Sequence, residues 1–211
     1  MIDIIKKKGF IAILRHLPLE KAEKTVKALY DGGIRIFEVT YNPSSDNTID
    51  TVNKTFDIIK KLGDDISLCA GTVVKEEFVY AAKEAGAKCI VSPNTDEKII
   101  KLTKKLGLIS IPGAFTPTEI MNAYNWGADI VKIFPILPDN IAYLKTVISP
   151  LSHIPFITTG GVRLDNAKDF LDCGAVAVAA GATLVTPDCL KNDDYEGIMK
   201  KAMEFTRICK A

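Results

Sequence analysis

The sequence predicts an α/β fold, a single (β/α)8 TIM barrel, from three observations. Short apolar runs alternate with longer amphipathic stretches, glycine recurs at the joints, and polar residues gather where the apolar runs end. In chain order, strands are expected over 10–14, 35–39, 67–70, 89–91, 108–111, 130–134, 156–158 and 176–180. Most of these runs are continuously apolar, as parallel strands covered on both faces require. Helices are expected over 19–31, 45–61, 75–85, 96–105, 116–126, 138–148 and 164–172, with a last one over 195–209. Gly33, Gly86, Gly107, Gly127 and Gly174 each stand between a helix and the next strand, where a left-handed residue makes a tight turn. A doubly wound open sheet shares this alternation, so the polar strand ends decide. Arg15, Glu38, Gly71-Thr72, Pro93-Asn94, Pro112-Gly113, Lys132, Thr159-Gly160-Gly161 and Gly181-Ala182-Thr183 end or follow successive strands, and only a barrel gathers them on one face.

Composition narrows the function classes. The 211 residues suit one domain spanning 1–211. The 27 Lys and Arg balance 26 Asp and Glu, and Lys residues are scattered over expected helix faces, which argues against nucleic acid or an anionic membrane as partner. Lys6-Lys7-Lys8 reads as a solvated terminal run. Cys69, Cys89, Cys173, Cys189 and Cys209 are odd in number and form no CxxC pair, which argues for free thiols in a reducing cytosol. The first residues lack a signal-peptide pattern, and no apolar run is long enough to span a bilayer, so a cytoplasmic protein is expected.

The chemistry is expected at a few strand ends. Lys132 is flanked by apolar residues in 129–135; poor solvation lowers an ammonium pKa, and a neutral amine attacks a ketone to form a Schiff base. The competing reading is a lysine that reaches bulk water or pairs with an acid. Glu38, isolated among apolar residues in 35–40, suits a general acid/base beside a charged lysine or imine, or else a salt-bridged strand end. The turns at 158–162 and 180–183 end strands seven and eight, where barrels commonly bind phosphate on glycine backbone N–H groups near a helix N-terminus. Arg15 is either a bidentate anion ligand or a surface residue. His16 and His153 are far apart and have no metal-ligand spacing.

With these residues the chain resembles the 2-keto-3-deoxy-6-phosphogluconate (KDPG)/4-hydroxy-2-oxoglutarate (KHG) aldolase family. The blocks Glu38-Val-Thr40, Pro112-Gly-Ala-Phe-Thr-Pro117 and Lys132-Ile-Phe-Pro135 carry the likeness, with Ile11 to Arg15, Ala70 to Val73, Ser92 to Asn94 and Thr159 to Val162. The resemblance implies that Lys132 forms the Schiff base and Glu38 shuttles the proton. It implies that Thr72, Pro93, Phe134 and Thr159 line the pyruvyl pocket and that Arg15 helps bind substrate. Gly160, Gly161, Gly181 and Ala182 would hold phosphate. It further implies a homotrimer with no cofactor and no metal. Asn42 stands where many phosphogluconate-type members carry arginine. Ala182 stands where they often carry a phosphate-binding serine, and Thr183 or backbone amides are the expected replacements for that hydroxyl. Asn42, Pro93-Asn94 and the segment 12–15 resemble the 2-dehydro-3-deoxy-6-phosphogalactonate branch. A phosphate-binding barrel isomerase or epimerase, and a catalytically silent ligand-binding barrel, are the alternatives to an aldolase.

Overall fold

The structure, a computed structural model, describes residues 1–137 and 140–209. Its strands are β1 (Phe10–Leu14), β2 (Ile36–Thr40), β3 (Ser67–Gly71), β4 (Cys89–Val91), β5 (Ile109–Ile111), β6 (Gly113–Ala114), β7 (Val131–Ile133), β8 (Phe156–Thr159) and β9 (Ala177–Ala180). All pairings are parallel, in the order β5-β4-β3-β2-β1-β9-β8-β7-β6. The two ends of that order are consecutive in the chain, so β5 and β6 are halves of one barrel strand and the ring closes through Pro112. Proline has no N–H to give a ladder, but its carbonyl accepts from Lys132 N–H at 2.9 Å. The expected single run over 108–111 thus becomes two short segments around that residue.

The helices are α1 (Ile2–Lys8), α2 (Leu19–Asp31), α3 (Thr48–Lys60), α4 (Glu76–Glu84), α5 (Glu97–Lys105), α6 (Pro117–Asn125), α7 (Ile141–Ile148), α8 (Ala167–Asp172), α9 (Pro187–Lys191) and α10 (Tyr195–Cys209). Pro138 and Asp139, at the start of one expected helix, lie outside the described residues. Local chemistry accounts for several starts. Asp96 accepts from the N–H groups of Lys98 and Ile99, and Thr116 forms a reciprocal capping box with Glu119. All five glycines expected between helix and strand have positive φ, from 72° at Gly107 to 101° at Gly127. Two elements escaped the sequence reading. α1 ends on left-handed Gly9 and pushes Ile5 into the base of the barrel; α9 is a short turn capped by Thr186.

Side chains separate by strand phase. Phe37, Val39, Val131 and Val178 join the outer layer between strands and helices. Ile11, Ile13, Ile36, Cys69, Cys89, Ile130, Ile157 and Ala177 form an inner cluster within the ring. Because successive strand residues point to opposite faces, Glu38 continues the inward row of Ile36, Lys132 that of Ile130, and Thr159 that of Ile157. Among the described residues, no helix is long and apolar enough to cross a membrane.

Candidate active site

Strands β2 and β7 carry the two charged side chains of the interior. Lys132 is 4% exposed and Glu38 1% exposed. Burial lowers the Lys132 pKa from the ordinary 10.5; the Glu38 charge opposes that fall and Arg15 adds to it. Burial raises the Glu38 carboxyl above the ordinary 4.5, partly offset by the positive charges of Lys132 and Arg15. Each group is therefore pushed toward its uncharged form, the amine toward a nucleophile and the carboxyl toward a proton carrier. The Lys132 ammonium nitrogen stands 4.6 Å from the centre of the Phe134 ring. Oε2 of Glu38 and the hydroxyl of Thr159 are buried without a hydrogen-bond partner among the described residues. Unsatisfied buried polar atoms are costly, and these line the region where a reacting group would supply the missing partner.

A cavity of about 590 Å³ opens above this pair. Lys132, Phe134 and Thr159 form its floor, Gly160, Gly161, Gly181 and Ala182 one wall, and Arg15 and His16 part of the rim. An apolar side is added by Leu17, Pro18, Val185, Pro187 and Leu190. Glu38, Thr72 and Pro93 are not among its lining residues. Glu38 is buried, Thr72 adopts a left-handed φ of 57°, and the Thr72 hydroxyl accepts from the exposed Arg15 guanidinium at 3.5 Å. Arg15 is thus tied across the mouth toward the end of β3.

The glycine turns owe their shape to their surroundings. At Gly160, φ is 98°, and a Cβ there would lie 3.1 Å from the carbonyl oxygen of Ile136. Asn166, buried, donates to the Gly161 carbonyl at 2.9 Å and accepts from Arg163 N–H at 2.7 Å, which holds the turn. Among the described residues, the backbone N–H groups of Gly160, Gly161, Ala182 and Thr183 donate to no backbone carbonyl. Such free amides on two adjacent turns form an anion cradle. The following helix α8 begins at Ala167, later than the expected position 164, so backbone amides rather than a helix end meet the cavity at Gly160 and Gly161. Thr183 does not replace a serine as phosphate donor: its hydroxyl donates to the Val162 carbonyl at 2.7 Å. Nor does Asn42 stand in for an arginine. Its side chain accepts from Ser44 N–H, and it lines a separate cavity of about 120 Å³.

One site residue was missed as such by the sequence reading, which placed it only after the third strand. A Cβ on Gly71 would collide with Oε1 of Glu38 and come within 2.7 Å of its Cγ, so the missing side chain makes room for the carboxyl group. Gly71→Ala is expected to displace Glu38 and cut kcat by roughly 10²-fold, the penalty of about 1 Å of misplacement. Steady-state kinetics and a thermal melt check this; unchanged kcat removes the role. A sequence gives no hint of it, because the crowding comes from the neighbouring strand, where Thr40 rather than Glu38 is level with Gly71.

Among the described residues no group of three or more His, Cys, Asp or Glu is placed to hold a metal ion. A closed parallel barrel with a buried lysine and carboxyl below its C-terminal mouth defines the class as a lysine-bearing barrel aldolase. The profile of the KDPG and KHG aldolase family matches residues 1–201, and the chain belongs to that family. It is 32% identical to the KHG/KDPG aldolase of Escherichia coli K12 over 187 residues, 88% of this chain and 85% of that protein. It is equally 32% identical to the 2-dehydro-3-deoxy-6-phosphogalactonate aldolase of the same strain, over 82% of this chain and 83% of that protein. The KDPG aldolase of Legionella pneumophila, solved with pyruvate captured as a covalent carbinolamine, superposes with a TM-score of 0.84. It covers 97% of both chains at 24% identity, a likeness of fold.

Proposed function

We propose that this protein cleaves a 2-keto-3-deoxy-6-phospho sugar acid to pyruvate and an aldehyde such as glyceraldehyde 3-phosphate, through a Schiff base on Lys132. The observation that carries the reading is the burial of Lys132 and Glu38 inside one barrel, each pushed toward its uncharged form. Neutral Lys132 adds to the C2 ketone, and loss of water from the carbinolamine leaves an iminium. Glu38 as carboxylate takes the proton of the C4 hydroxyl. The C3–C4 bond breaks, its electron pair passes into the iminium to form an enamine, and the aldehyde leaves. Glu38 returns its proton to C3, and water releases pyruvate and the free amine. The iminium is the electron sink, so these steps call on no cofactor. Arg15, Thr72, Pro93, Phe134 and Thr159 are proposed to hold the keto-acid end. The amides of Gly160, Gly161, Gly181 and Ala182 are proposed to hold the phosphate.

Residues 1–211 are read as one aldolase domain, acting in the cytoplasm as the homotrimer implied by the family resemblance. The galactonate-type epimer is a second reading, supported by Arg15 at the rim; the equal 32% identity to relatives of both names does not decide between them. Pyruvate release coupled to lactate dehydrogenase is the test. It is expected with the 6-phosphogluconate or 6-phosphogalactonate keto acid, and to a lesser degree with 4-hydroxy-2-oxoglutarate. No pyruvate from any of the three overturns the proposal.

A further inference from the structure

We propose that His16 is the residue that selects a phosphorylated substrate, by donating an imidazole N–H to the phosphoryl group held on the glycine turns. This rests on the aldolase reading above. The first observation is conformational: His16 has a φ of 52°. That is the left-handed region, which glycine enters freely and side-chain-bearing residues enter seldom, histidine, asparagine and aspartate more often than the rest. Histidine at such a position keeps its side chain against a backbone preference, a pattern that clusters at functional sites.

The second observation is a shortage of side-chain donors. The charged or titratable side chains lining the main cavity are Arg15, His16 and Lys132. Lys132 is engaged at the carbonyl end, and Arg15 donates to Thr72 after β3, two strands from β1 and on the side away from β9. The cradle itself supplies amides only, since Ala182 has no hydroxyl and the Thr183 hydroxyl already donates to Val162. A phosphate presents three strong acceptor oxygens, and a further side-chain N–H would complete their hydrogen bonding.

The third observation is position. Ala12 is level with Ala180, so the loop after β1 rises beside the loop after β9, and a Cβ on Gly181 would lie 3.2 Å from the Ile13 carbonyl oxygen. His16 lines both the main cavity and the smaller one, where Thr40, Asn42, Ser45 and Thr48 surround its other side with polar groups. It stands on the wall between them, next to the cradle.

The experiment compares kcat/KM for 2-keto-3-deoxy-6-phosphogluconate with that for 2-keto-3-deoxygluconate, in the wild type and in His16→Gly. Glycine relieves the backbone, so loss of folding is not an expected complication. The ratio is expected to fall by roughly tenfold, the scale of one charge-assisted hydrogen bond, with most of the change in KM. His16→Asn, which tolerates the left-handed region but lacks the imidazole, is expected to fall with it. An unchanged ratio, or an equal loss on both substrates, overturns the proposal. Borohydride trapping of pyruvate on the wild type keeps the two readings apart: an adduct with an unchanged ratio removes only the role of His16, whereas no adduct removes the aldolase itself.

Discussion

Lys132→Met is expected to reduce pyruvate release by a factor on the order of 10⁴–10⁶, the scale seen when a covalent nucleophile is deleted. In the wild type, borohydride with pyruvate adds a stable mass to Lys132; in the variant mass spectrometry finds none. An adduct that survives the substitution overturns the assignment of the Schiff base. Because burial lowers the Lys132 pKa, the trapping rate is expected to inflect below pH 10.5. Stability follows the same shift. A depressed lysine pKa contributes stability that is present above the unfolded value, near 10.5, and lost as pH falls through the folded one. Methionine fills a similar volume without that penalty, so Lys132→Met is expected to melt higher than wild type at neutral pH, with the gap closing above pH 10.5.

Glu38→Gln is expected to separate imine formation from turnover. Trapping on Lys132 persists, since the amine remains, whereas kcat falls by roughly 10²–10⁴, the usual cost of losing a general acid/base. Full turnover in this variant overturns Glu38 as the proton carrier. The stability sign is opposite in pH. A carboxyl raised above 4.5 contributes stability that is present below that value and lost as pH rises through its folded pKa. The glutamine variant therefore matches wild type in acid and melts higher at neutral pH. A melting difference independent of pH contradicts the buried-carboxyl description.

Much of the barrel was legible because each strand repeats its own evidence. Apolar runs of three to five residues, five of them preceded by a helix ending in glycine, leave little choice of architecture, and the structure moved most boundaries by only a few residues. What was not legible depended on contacts. α1 has seven residues, too few to be helical alone, and is held by Ile5 entering the base of the ring. Pro112 splits the fifth barrel strand because β4 and β7 pair on opposite sides of it at different levels. Within the site, the spacing of Glu38 and Lys132 among apolar neighbours pointed to the chemistry. Nothing in the chain pointed to Gly71 as the space for a carboxyl or to Asn166 as the brace of the glycine turn.

By itself the sequence determined the strand phase. Alternation puts Glu38 on the face of Ile36 and Lys132 on the face of Ile130, because each side chain's direction is set by its own backbone. Only the tertiary structure decided what those side chains meet: the burial that moves both pKa values, the Thr183 hydroxyl bonded to Val162, and the Arg15 guanidinium turned to Thr72. Solvent exclusion and hydrogen-bond partners come from segments far apart in the chain, and they are set only when the ring closes.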